Sequence, residues 1–141
     1  MTESAALAID WEELGRAAVE VQLRAHAPYS NYPVGAALLV ASGRVFAGCN
    51  VENASYGLSI CAERSALVQM VAAGESGPIA LAVVTPGPMI GTPCGTCRQT
   101  LAEFAEDLPI QLRVADSAAP PRMTSLEALL PDAFRAVALK R

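Results

Sequence analysis

The sequence predicts an α/β domain, a mixed sheet with helices on its faces. Three observations carry this. Segments with helical period alternate with short apolar runs along the chain. Ser42-Gly43-Arg44 separates two of the early runs, which is a hairpin signal. The run Ile79 to Thr85 reads Ile-Ala-Leu-Ala-Val-Val-Thr, which suits a strand buried in mid-sheet. The hairpin is antiparallel, whereas strands joined through crossover helices tend to be parallel and right-handed. At 141 residues one domain, 1–141, is expected.

The elements follow in order. Residues 9–27 read as an amphipathic helix, with Asp10 as cap and Trp11, Leu14, Ala18 and Val21 at helical spacing. Pro28 ends it. Residues 34–41 form a short apolar strand between Pro33 and Ser42, and 45–50 return beside it. Residues 55–60 are loop. A helix over 61–73 stops at Gly74, with Ser59 as its candidate N-cap. After the strand at 79–85, a Gly/Pro loop leads to a helix over 94–105 and a strand over 110–115. A last helix is expected over 124–130, capped by Thr124 with Glu127 closing a capping box.

Composition narrows the class. A 52% hydrophobic chain can build a real core, but its longest apolar run is too short to cross a bilayer. Met1-Thr2-Glu3-Ser4 lacks a basic segment followed by an apolar one, so no signal peptide is expected and the cytosol is the expected location. There, four cysteines point to thiols or metal ligands rather than disulfides. A net charge of −4 without a Lys/Arg cluster argues against nucleic acid as the partner. A small, weakly charged substrate fits better.

The chemistry lies in two stretches, Ser59-Ile60-Cys61-Ala62-Glu63-Arg64 and Pro93-Cys94-Gly95-Thr96-Cys97-Arg98-Gln99. Cys94 and Cys97, three apart on a helix, share a face. Cys61 completes a three-thiolate set. Three protein donors leave one tetrahedral position of Zn²⁺ free for water, the pattern of a catalytic rather than a structural zinc. Glu63 is placed to carry the protons of such a water. Residues two apart on a helix do not face one another, so Cys61 must sit in the first turn for Glu63 to join it. Both metal-bearing helices are expected to start at the same end of the sheet, with their N-termini stabilising thiolates. Arg64, and also Arg98, are candidates to donate hydrogen bonds to the sulfurs.

Plainer readings compete. A C-x-x-C pair also serves redox chemistry, but that needs no Cys-x-Glu partner. Cys49 is a possible fourth ligand of a structural zinc. Strand alternation, however, turns it away from Asn50. His26, the lone histidine, reads as a surface or packing residue. Asn50 and Glu52 share one side of their strand end, and turn chemistry alone accounts for them.

Taken together, these stretches resemble the small, homotetrameric, zinc-dependent cytidine deaminases. The likeness is carried by Ala27-Pro28-Tyr29-Ser30, Val34-Gly35-Ala36-Ala37, Gly48-Cys49-Asn50-Val51-Glu52-Asn53, Cys61-Ala62-Glu63-Arg64, Pro93 to Gln99 and Leu129-Leu130-Pro131-Asp132-Ala133-Phe134. Cys-x-Glu followed by Pro-Cys-x-x-Cys is a known zinc-deaminase signature. The resemblance implies a three-layer α/β/α sandwich around a five-stranded mixed sheet. It implies conversion of cytidine or 2′-deoxycytidine to the uracil nucleoside in pyrimidine salvage. It makes Cys61, Cys94 and Cys97 ligands of one zinc per chain and Glu63 the proton shuttle. Asn50 and Glu52 would grip the ribose 3′-hydroxyl, the Ala62 N–H the pyrimidine carbonyl, and Tyr32, where the family often has Phe, would stack. Phe134 would complete the site of a neighbouring copy. Ala62, Ala66, Ala72 and Ala73 are expected to let helices approach across that interface. A blasticidin S-type deaminase shares the zinc motif but lacks the Asn-x-Glu pair. Outside enzymes, a zinc-stabilised interaction module is the rival.

Overall fold

The computed structural model describes residues 8–140; Met1 to Ser4 lie outside them. Five strands form one mixed sheet in the order β2-β1-β3-β4-β5. β1 (Gly35–Val40) pairs antiparallel with both β2 (Val45–Cys49) and β3 (Pro78–Thr85). β3 runs parallel to β4 (Pro109–Val114), and β5 (Arg122–Ser125) closes the far edge antiparallel.

Side-chain alternation assigns the two faces. Ala36, Leu38, Val40, Leu81, Val83, Ile110 and Leu112 point to one core, shared with α2 (Ala62–Ala72) and α3 (Gly95–Ala102). Each fully buried Leu, Ile or Val there contributes about 1.5–3 kcal/mol relative to exposure. Ala37, Ala80, Ala82 and Val84 face the other way, against Leu14 and Ala18 of α1 (Trp11–Gln22). That face is built of small residues because α1 lies close. A side chain on Gly35 would run into the Ala18 carbonyl.

Two strands separated by a helix crossover decide where the helices begin. β2 and β3 point the same way, with β1 between them, and β3 and β4 are adjacent and parallel. The connections β2-α2-β3 and β3-α3-β4 therefore start both helices at one end of the sheet, on one face. α2 stops as expected at Gly74, whose φ of 83° only glycine adopts freely. Glu75 N–H donates to the Met70 carbonyl and Gly74 N–H to that of Val71, a Schellman close.

The sequence reading needs correction at three places. α1 ends at Gln22, not Ala27. His26 N–H donates to the Asn50 carbonyl, and Glu52 N–H to that of His26. That bridge, with Pro28 restricting Ala27, pulls the chain out of the helix. The N-terminal cap is as expected, with Asp10 accepting from Glu13 N–H at 3.1 Å. Thr124 is not a helix cap. It pairs with Ile110 in β5, because β4 presents an open edge. Ser125 caps the short α4 (Leu126–Leu129) by accepting from Ala128 N–H at 3.1 Å, and Glu127 N–H turns to Asp107. Lastly, Ala62 and Ala66 are buried within the chain. A Cβ on Gly48 would lie 2.5 Å from the Ala66 nitrogen, so Ala62 and Ala66 serve the packing of α2 on β2, whereas Ala72 and Ala73 stay exposed.

Candidate metal centre and substrate pocket

Cys61, not Ser59, is the N-cap of α2, because Ser59 closes the short 3₁₀ turn Tyr56–Leu58 before it, and Cys94 is the N-cap of α3. The shared starting end of the two helices brings their sulfurs to 3.7 Å. Cys97, one turn into α3 and buried, lies 3.5 Å from Cys94. All three sulfurs fall within 4.8 Å of one another. A tetrahedron with Zn–S bonds of about 2.3 Å has edges of about 3.8 Å, so this donor set fits zinc. Among the described residues no other group of three His, Cys, Asp or Glu side chains closes in this way, and Cys49 is not in it.

Glu63, only 5% exposed, brings its carboxyl to 3.8 Å from the Cys97 sulfur. Burial pushes that carboxyl up to about 7. Cys61 moves the other way, down to about 5, mainly through the hydrogen bond from the Cys97 thiol and also through Arg64. Cys97 is pushed up by that same bond and by burial. Cys61 therefore ionises ahead of Cys97, at a helix start that favours negative charge.

Arg64 reaches the Ser59 carbonyl at 3.4 Å and the Cys61 sulfur at 4.0 Å. Its Nε is buried with no acceptor. With Nη2 at the Cys61 sulfur, the guanidinium is placed to offset the charge of a thiolate cluster, which supports the fit to zinc. Arg98 differs from expectation. It donates to the Pro93 carbonyl (2.6 Å), the Leu129 carbonyl (2.7 Å) and the Thr92 hydroxyl (3.0 Å), and to no sulfur. The carbonyls before Cys94 and at the end of α4 are nearer.

A cavity of about 330 Å³ is lined by Cys61, Glu63 and Cys94 together with Ala62, Tyr32, Asn50 and Glu52. Ala62 is the first residue of α2, where a helix leaves its N–H without an intrahelical partner. Asn50 and Glu52 combine the plain and the functional placement. Asn50 accepts from Val34 N–H and donates to the Tyr32 carbonyl, both at 2.9 Å. Glu52 accepts from the N–H groups of Tyr29 (2.9 Å) and Ser30 (3.2 Å) and from the Ser30 hydroxyl. These bonds lower its carboxyl below the usual range, the Ser30 hydroxyl most of all. Both side chains are thus held rigidly while facing the cavity.

Sequence reasoning missed Ser30, Thr85 and Gly91 as lining residues. Ser30 orders the wall by donating to Glu52 and accepting from Tyr32 N–H. Thr85 is buried and accepts from Gly91 N–H at 3.2 Å. A Cβ on Gly91 would meet the Tyr32 hydroxyl at 2.7 Å, so glycine makes room for the phenol. A polar residue ending an otherwise apolar strand was the available signal for Thr85. Phe134 does not line this cavity. It is 60% exposed and is not among the side chains packed on the main core.

A mixed sheet that gathers three thiolates at two helix starts, beside a buried carboxyl and an open pocket, defines a zinc-dependent hydrolytic enzyme. Comparison with known proteins makes the class specific. Residues 9–110 match the cytidine and deoxycytidylate deaminase zinc-binding region. Cytidine deaminase of Sporosarcina psychrophila is 41% identical over 129 residues, 89% of this chain and 92% of the relative. The crystal structure of cytidine deaminase from Burkholderia pseudomallei superposes with a TM-score of 0.84 at 46% identity, covering 89% of this chain and 100% of that one. That from Mycobacterium tuberculosis gives 0.76 at 43%, covering 90% and 98%. The chain belongs to the cytidine and deoxycytidylate deaminase family.

Proposed function

We propose that this chain catalyses the zinc-dependent hydrolytic deamination of cytidine and 2′-deoxycytidine, releasing ammonia, in pyrimidine salvage. One observation carries the reading: a buried carboxyl, Glu63, stands 3.8 Å from a sulfur of a three-thiolate cluster that opens on a cavity of about 330 Å³. Cys61, Cys94 and Cys97 would hold the zinc, which when bound supplies the Lewis acidity that makes water nucleophilic near pH 7. Arg64 offsets the negative charge of three thiolates, which would otherwise weaken that acidity.

Glu63 does the proton work. Its carboxylate takes a proton from the attacking water and passes it to the ring nitrogen next to the amine-bearing carbon. The water oxygen adds to that carbon. Glu63 then carries the remaining hydroxyl proton to the amine, the C–N bond breaks, and ammonia leaves a carbonyl behind. One buried carboxyl at an ordinary working pH serves both transfers. The free N–H of Ala62 holds the pyrimidine carbonyl, and Tyr32 stacks on the ring. The unused acceptor and donor capacity of Asn50 and Glu52 holds the ribose 3′-hydroxyl. Because a site built around a hydroxyl rejects ligands lacking it, free cytosine is a poor substrate.

The same reading makes the enzyme a cytoplasmic homotetramer in which Phe134 covers the site of a neighbouring copy. Its support is the outward-facing ring of Phe134 and the exposed Val137 and Leu139 beyond it. No helix among the described residues is long and apolar enough to cross a membrane. Incubation of the zinc-loaded protein with cytidine tests the function. The cytosine absorbance band should fall with release of one ammonia per nucleoside, and cytosine should react far more slowly. No change with cytidine would remove the enzymatic reading and leave the zinc-stabilised module.

A further inference from the structure

We infer that Arg135, together with Gln99, is a positioning residue for Phe134. The two clamp the C-terminal segment onto the zinc-bearing helix so that the ring is held outward in one orientation. The inference rests on the reading that Phe134 covers a neighbouring copy's site.

The clamp has three parts. The Arg135 guanidinium donates to the carbonyl of Ala102 (2.7 Å), the last residue of α3, and to those of Ala105 (2.9 Å) and Glu106 (2.7 Å) in the turn that follows. The last carbonyls of a helix lack intrahelical donors and carry partial negative charge, so a cation there both satisfies and stabilises them. Within α3, Gln99 donates from Nε2 to the Phe134 carbonyl at 2.8 Å. On the other side of Phe134, Ala133 packs against the main core. Arg135 has extended backbone (φ −131°, ψ 162°), in which successive side chains alternate sides. Ala133 and Arg135 turn inward, so Phe134 turns out.

An exposed aromatic costs solvation. Chains normally let such a ring fold back onto an apolar surface. Here three side-chain hydrogen bonds from Arg135 and one from Gln99 oppose that. Two of the four, to Ala102 and from Gln99, anchor on α3, whose opposite end carries Cys94 and Cys97, and the other two hold the turn just beyond its C-terminus. The ring therefore has a set position relative to its own metal centre, and by symmetry relative to a neighbour's. Holding an anchor residue in its bound conformation lowers the ordering cost of the contact. Neither residue touches the substrate, since neither lines the cavity.

Steady-state kinetics on zinc-loaded tetramer tests this through four variants. Phe134→Ala should lower kcat/KM about 30-fold, as for loss of a central aromatic anchor. Arg135→Gln should lower it about tenfold, as for losing charge-assisted bonds. In both, the loss should fall mainly on KM, with zinc content and folded fraction unchanged. The double variant Phe134→Ala/Arg135→Gln should stay within about twofold of Phe134→Ala, because Arg135 acts only through the ring. Gln99→Ala, an exposed helix-surface change, should give a smaller KM rise with the same dependence on Phe134. It keeps the test open if Arg135→Gln misfolds. Multiplicative losses in the double variant, or a fall in kcat with a reduced folded fraction and an unchanged KM, would show Arg135 to be merely structural and overturn the inference. Wild-type kinetics in Arg135→Gln and Gln99→Ala beside a damaged Phe134→Ala would overturn the clamp and leave the role of Phe134 intact. Wild-type kinetics in Phe134→Ala would overturn both.

Discussion

The starts of α2 and α3 look alike in sequence and work differently. Each has a cysteine as N-cap, with an arginine three or four residues later: Cys61 and Arg64, Cys94 and Arg98. At α2 the first turn supplies a carboxyl, Glu63, and Arg64 faces the Cys61 sulfur. At α3 the next turn supplies a second sulfur, Cys97, and Arg98 faces away to the Pro93 and Leu129 carbonyls. One helix start brings the proton chemistry and charge balance. The other brings most of the metal grip and is braced by the C-terminal segment. Sequence offset places a long side chain in a neighbourhood; the nearest acceptor chooses its role.

The largest effect should come from the ligands. Cys94→Ser should abolish zinc binding and activity, whereas Cys49→Ser, outside the sulfur cluster, should keep both. Metal analysis of the two purified variants decides. Equal zinc loss would make Cys49 a fourth ligand and end the catalytic interpretation.

Next comes the carboxyl that only α2 carries. Glu63→Gln keeps the shape but not the proton capacity, so kcat should drop about 10²- to 10⁴-fold with zinc retained. Rapid turnover by the zinc-loaded variant would take Glu63 out of the reaction.

The arginines should separate the helix starts most directly. Arg64→Gln should weaken zinc retention or activity about 10- to 100-fold with little change in Tm, since Arg64 acts on the sulfurs. Arg98→Ala should instead lower stability by about 1–3 kcal/mol, because it leaves the part-buried Pro93 and Leu129 carbonyls without their charged donor. Zinc transfer to a chromophoric chelator, measured alongside thermal melts, reads both. Interchanged phenotypes would refute the distinction.

The smallest effect lies at the pocket wall. Hydrogen bonds, first that from Ser30, hold the Glu52 carboxyl below its ordinary 4.5. A depressed carboxyl stabilises the fold above its unfolded value and loses that contribution as pH falls through the folded one. The Tm difference between wild type and Glu52→Gln should therefore persist at neutral pH and shrink below about pH 4.5. A difference that grows towards acid would contradict the assignment.

The sequence by itself determined the sheet-and-helix alternation, the hairpin at Ser42-Gly43, the stop at Gly74 and the three-cysteine, one-glutamate set. Each is written in a short window through a local cause: side-chain period, turn geometry, positive φ, ligand spacing. Only the tertiary structure decided the rest. β5 exists because β4 offers an open edge, and Arg-Met-Thr-Ser shows no apolar alternation to announce it. α1 stops early because His26 finds a partner in Val51, 25 residues on. Ser30 and Thr85 become wall residues through bonds to Glu52 and Gly91, and Arg98 becomes a brace through a carbonyl 31 positions away. Apart from Thr85 and Gly91, six residues apart, the deciding partner is remote in the chain, and hydrogen-bond satisfaction in three dimensions overrides what the local window prefers.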